Sequence, residues 1–215
     1  MTPSGTGDRD TLRTSAVLAG HTARAWAGLV LRSFARETNL ALASTRVLVV
    51  GDGDVADALT GALVRLGSRV RLVSDHAAEL LTVARRHAVP AELVTGTWFV
   101  APDIDVLIVT GHHHPPLTVD AVVAGERPLT VVDAALSSGV GATAHSFGAH
   151  DGDDGASTVR NLTEFRGPRP IFGVPPVDLQ QLAQSTADVR STYAGLLTAV
   201  GADQAETELA KALLV

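Results

Sequence analysis

The run RVLVVGDGDVADAL, Arg46 to Leu59, constrains the chain more than any other stretch. Val47 to Val50 are all apolar, as in a strand buried within a sheet. Two glycines follow with one residue between them, and then Ala and Leu recur at helical spacing. A strand that ends in Gly-x-Gly and opens directly into a helix matches a dinucleotide fingerprint. Gly51 permits the tight turn, and Gly53 lacks a side chain, so a pyrophosphate can approach the backbone. Ala56 lets helix and strand pack closely. The first N–H groups of the helix, with its dipole, favour an anion, so Asp54, Val55 and Ala56 join Gly51 and Gly53 as candidate cofactor-binding residues. Asp52 and Asp54 are expected to point to solvent as helix-start residues. A glycine-rich turn of any α/β protein has the same local look, so the weight of the motif comes from what surrounds it.

What surrounds it is a regular alternation. Helical spacing over about 55–66, closed by Gly67, leads to a strand RVRLVS, a helix from Ala77 and a weak strand AELV. DVLIVT, a short helix ending at Gly125, LTVVDA and RPIFGV continue the series. Strands and helices at this interval imply parallel pairing with right-handed crossovers, hence a Rossmann-like, doubly wound parallel α/β sheet. Residues 1–9 read as a disordered lead, 10–45 as an N-terminal helical segment, 46–174 as the dinucleotide-binding domain and 175–215 as C-terminal helices. The first helix is expected from about Asp10, its cap, to Glu37.

Composition narrows the chemistry. Apolar residues make up 46% of the 215, as in a globular protein, and a net charge of −6 argues against a nucleic-acid or anionic-membrane surface. There is no cysteine, which excludes disulfides, thiolate nucleophiles and iron–sulfur clusters, and Lys211 is the only lysine for Schiff-base chemistry. No apolar run approaches the ~18 residues of a membrane span, and the N-terminus has no secretory h-region. A cytoplasmic protein is expected, and no metal ligands are assigned.

The second strand ends RLVSDH. A carboxylate there would bind the adenosine ribose, and Asp75 is the candidate, with Ser74 as the alternative strand end. No arginine follows at once to receive a 2′-phosphate, which favours NAD over NADP. His112, His113 and His114 follow the fourth strand at the carboxyl edge, where ligands of such sheets sit. They read as a polar loop, as proton handlers, best His114, or as metal ligands. Asp133 ends the fifth strand at the same edge, as a second catalytic candidate or a cap of the next turn. The stretch 139–157, rich in Gly, His and Asp, is a solvated loop or a lid.

The stretch VTGHHHPPLTVDAV, followed by RPLTVVDAAL, resembles the NADPH-binding domain of glutamyl-tRNA reductase. Thr110, Gly111, His114, Pro115, Leu117, Thr118 and Asp133 fall into that family's pattern, and VPPVDLQQLAQSTADVR is similar to the helix leading to its dimerisation spine. The resemblance spans about 40–200 and adds Thr110 and Gly111 to the cofactor-binding candidates. The chain departs from the family in two ways. The cysteine-bearing catalytic domain is absent, and Ser74-Asp75-His76 stands where the family has Asn-Arg-Thr. Thioester reduction of glutamyl-tRNA is therefore not expected. Gly51 to Val55 also resemble the Gly-x-Gly-Asp-Val motif of adenosylhomocysteinase, without its substrate domain, and the architecture is similar to small NAD-dependent precorrin-2 dehydrogenases.

Two functions follow as expectations. One is an NAD(P)-dependent oxidoreductase for a small-molecule substrate, in tetrapyrrole or specialised metabolism. The other is a non-catalytic nucleotide-binding regulatory or partner subunit. A homodimer is expected because the first helix and the one from Val177 to Val200 carry apolar stripes surplus to the sheet. The alternative is that these helices pack on each other within one protomer.

Overall fold

The computed structural model describes residues 15–110, 122, 125–136, 169–174, 177 and 179–213. Its chain divides into two units, Ala27–Val177 and a second made of Met1–Trp26 with Asp178–Val215.

The larger unit is built on β1 (Arg46–Val50), β2 (Arg69–Ser74), β3 (Ala91–Leu93), β4 (Val106–Val109), β5 (Leu129–Asp133) and β6 (Ile171–Val174). All six are parallel, in the order β3-β2-β1-β4-β5-β6. The expected Rossmann-type sheet is therefore present. Its order reverses between β1 and β4, from which the remaining strands are laid down outward in opposite directions. In open sheets of this kind such a switch point, beyond the carboxyl ends of the strands, is where ligands bind.

Register explains the unbroken apolar runs. Leu48 and Val50 pair with Leu107 and Val109, and Leu107 with Val131, so these residues share one face. There they form a buried cluster with Trp98, Val100, Ile104 and Val122. Val47, Val49, Leu72, Val106 and Ile108 point the other way and are buried as well. Both faces are covered, so alternation disappears in β1 and β4.

The helix α1 (Ala16–Thr38) crosses the division between the units, and its second half buries Ala27, Val30 and Phe34. Next come α2 (Gly53–Arg65) and α3 (Ala77–His87). They lie in successive crossovers running the same way along the sheet, which puts them on one face. They also meet each other. Asp57 of α2 accepts from Arg86 at 2.5 Å and sits 2.8 Å from His87 Nε2, both on α3. Gly67 (φ 82) ends the α2 crossover, as its position in the sequence suggested, whereas α3 ends on Ala88 at φ 54. At the amino edge the buried Arg169 donates to the carbonyls of Pro102 and Ile104 at 2.9 and 3.0 Å. It ties the approach to β6 to the approach to β4.

The smaller unit holds the first half of α1 with α4 (Leu179–Val200) and α5 (Ala202–Leu213), separated by Gly201 at φ 81. Leu18 packs with Tyr193, Ala205 and Leu209. The first turn of α1 is held by Ser15, whose Oγ accepts from the Leu18 N–H at 3.0 Å. Asp10, the expected cap, lies outside the described residues, as does the proposed lead 1–9. Among the described residues no helix is long and apolar enough to cross a membrane.

Candidate functional site

The site grows from the end of β1. Gly51 has φ 110 and Gly53 φ 78, both in the region that side-chain-bearing residues rarely enter. The sequence places glycine at the two positions where the turn needs it. The Gly51 N–H still donates to the Val73 carbonyl at 2.7 Å, so the turn remains anchored to β2 as it leaves the sheet. α2 begins at Gly53. Val55 and Ala56 are buried against the strands, and Asp54 faces solvent as expected.

Asp52 does not face solvent. It is only 1% exposed, and its Oδ2 accepts from the Ser74 hydroxyl at 2.9 Å and lies 3.6 Å from His76 Nδ1. It stands at the N-cap position of α2 in extended backbone (φ −137, ψ −162), yet its side chain makes no capping hydrogen bond. The expectation for Asp52 is thus corrected. A carboxylate beside a helix start is drawn to the dipole only when nothing better is in reach, and here the hydroxyl at the end of β2 is in reach.

β2 ends at Ser74, which is fully buried, and Asp75 is exposed in the loop that follows. Both alternatives for the strand end are thereby placed. Ser74 is the terminal strand residue, and Asp75 is the outward-facing carboxylate beside it. The Ser74 Oγ also accepts from the His76 N–H at 3.0 Å. His76 is the N-cap residue of α3, and ligand-capable atoms of Asp52, His76 and Glu79 all lie within 4.8 Å of one another. Sequence reasoning did not assemble this group. Its members come from the starts of two helices, α2 and α3, brought together by the pairing of β1 with β2, and the His-to-Glu spacing at a helix start was the one available signal.

Across the switch point, Thr110 is buried, and its N–H and hydroxyl both donate to the Val50 carbonyl, at 3.0 and 3.2 Å. It therefore frames the glycine turn from the β4 side with its hydroxyl already engaged. Asp133 lies beside Val109 at the end of β5, with Oδ1 accepting from the Ala135 N–H at 3.0 Å, a turn-capping contact. The structure brings Gly51, Gly53, Ser74, Asp75 and Thr110 to one edge of the sheet, with Asp133 one strand further on. Gly111, the histidines 112–114 and the stretch 139–157 lie outside the described residues.

No family model matches the sequence, and no curated protein matches it. Solved structures do match the fold. A dipicolinate synthase polypeptide from Bacillus halodurans superposes with a TM-score of 0.52 at 18% identity, over 80% of this chain and 54% of that one. The corresponding dipicolinate synthase polypeptide from Bacillus subtilis gives 0.53 at 15%, over 86% and 56%. This chain spans just over half the length of either. At such identity the likeness shows the Rossmann-type fold. The resemblances to glutamyl-tRNA reductase and adenosylhomocysteinase continue to rest on sequence motifs alone.

Proposed function

We propose that the chain is an NAD(P)-binding oxidoreductase acting on a small metabolite. The observation that carries this reading is the pair of positive-φ glycines at the end of β1, beside the switch point and opening α2. In this reading the N–H groups at the start of α2 take the pyrophosphate and Asp75 takes the adenosine ribose. The donor set fits the group, because the turn carries no Cβ at its two glycines and Asp52 does not cap the helix start it precedes. A bound nicotinamide would supply the hydride chemistry. The protein's part is to orient it and to hold one proton donor or acceptor near the substrate, with Asp133 and His114 as the candidates.

NAD is favoured over NADP because two carboxylates, Asp52 and Asp75, flank the end of β2, where a 2′-phosphate would add a third negative group. A cytoplasmic setting, without nucleic-acid or membrane partners, belongs to the same proposal. The test is oxidation of NADH or NADPH with a panel of small carbonyl and imine substrates. Turnover that falls in Asp133→Asn supports the oxidoreductase. Tight binding with no turnover across the panel supports the non-catalytic nucleotide-binding role instead.

A further inference from the structure

We infer that Ser74 is a positioning residue that keeps Asp52 off the start of α2, so that the anion site stays open. This rests on the dinucleotide reading above and deepens it. An aspartate at an N-cap ordinarily accepts hydrogen bonds from the N–H groups two or three residues on. Those are the groups that a Gly-x-Gly turn offers to a pyrophosphate. An Asp in this place is therefore a built-in competitor for the ligand. Here the competitor is turned aside. Its Oδ2 accepts from the Ser74 hydroxyl at 2.9 Å, with His76 Nδ1 at 3.6 Å, and its side chain makes no cap to α2.

The Ser74 hydroxyl can hold Asp52 while it serves a second partner. A hydroxyl has one proton to give and lone pairs with which to accept. The Ser74 Oγ accepts from the His76 N–H at 3.0 Å, and its hydroxyl donates to Asp52. Both Ser74 and Asp52 are buried, so a missing bond is not readily replaced by bulk water. Without the hydroxyl, the capping N–H groups of α2 become the better partner for the Asp52 carboxylate. Ser74 need not touch the ligand to control its affinity.

The test is a double-mutant cycle read by NADH and NADPH titration, with thermal unfolding of the same proteins. Ser74→Ala is expected to weaken the tighter-bound nucleotide about tenfold while a cooperative unfolding transition is retained, since Asp52 gains a cap as it leaves the serine although the His76 N–H loses the Ser74 acceptor. In the Asp52→Ala background, adding Ser74→Ala is expected to change affinity by less than about twofold. The coupling separates the proposal from direct contact or plain misfolding. Equal binding by Ser74→Ala and the parent overturns it, as does a tenfold loss that persists in the Asp52→Ala background. Should Ser74→Ala fail to fold, Asp52→Ala serves. It removes the competing side chain and is expected to bind at least as tightly as the parent, and weaker binding than the parent overturns the proposal. A parent protein that binds neither nucleotide removes the dinucleotide reading itself, which these outcomes keep distinct.

Discussion

The Val17 N–H, at the start of α1, donates to Glu206 Oε1 of α5 at 2.8 Å, across 189 positions of sequence. The other carboxylate oxygen accepts from the Ser15 hydroxyl at 2.7 Å, so one glutamate caps a helix start from a distant helix. Burial alone would raise the Glu206 carboxyl. Hydrogen bonds from the Val17 N–H, Ser15 and Tyr193 outweigh it and hold the group below the ordinary glutamate value. A depressed folded value means that the contribution is present above the unfolded pKa of about 4.3 and is lost as pH falls through the folded value. The Tm of the parent is expected to fall more steeply than that of Glu206→Gln from about pH 5 downward. Thermal unfolding followed by circular dichroism across that window checks it, and parallel curves would show that this carboxylate contributes nothing.

The Gly53 backbone sets the second expectation. At φ 78 a Cβ is strained, so Gly53→Ala should cost about 1–2 kcal/mol of stability. Gly53→Asp adds a side chain and a negative charge in the pyrophosphate's approach, and it should abolish dinucleotide binding while the far-ultraviolet spectrum stays native. An aspartate variant that still binds would place the ligand elsewhere.

Asp75 stands exposed just past β2, where an adenosine ribose would lie in the proposed site. Asp75→Ala is expected to weaken NAD more than NADP, because it removes a hydroxyl acceptor for the first and a repelling charge for the second. Parallel titrations of the two nucleotides decide it. The opposite ranking would mean that the ribose contact is misassigned.

Self-association is open to a direct mass measurement. Part of the apolar stripe on α4 is covered within the chain, through Tyr193 with Leu18 and Leu209, while Leu179 and Val200 remain exposed. We propose a homodimer that uses the exposed remainder. Light scattering at micromolar concentration should then give about twice the 22.2 kDa chain mass. A single-chain mass would refute the dimer.

How far the molecule could be read from its sequence depended on the range of the forces involved. The β1–turn–α2 unit was legible because the apolar period changes at Gly51, and because glycine is the residue that tolerates φ 110 and φ 78. The parallel pairing followed from alternation and handedness, which are local rules. Asp52 was misread because it is buried beside Ser74, 22 positions away, through a pairing of β1 with β2 that places the two strand ends together. Local helix-start rules favoured the solvent-facing choice. The same limit hid the Glu206 cap, where a helix-start preference is satisfied from the far end of the chain. Thr110 was legible in position, at the edge of β4, but its hydroxyl is engaged by the Val50 carbonyl, a contact that no motif reports.

Isothermal titration of the parent protein with NAD, NADH, NADP and NADPH tests the central claim most directly. The account expects saturable binding of a nicotinamide dinucleotide, with NAD or NADH tighter than its phosphorylated counterpart. No measurable heat with any of the four at millimolar concentration would contradict it.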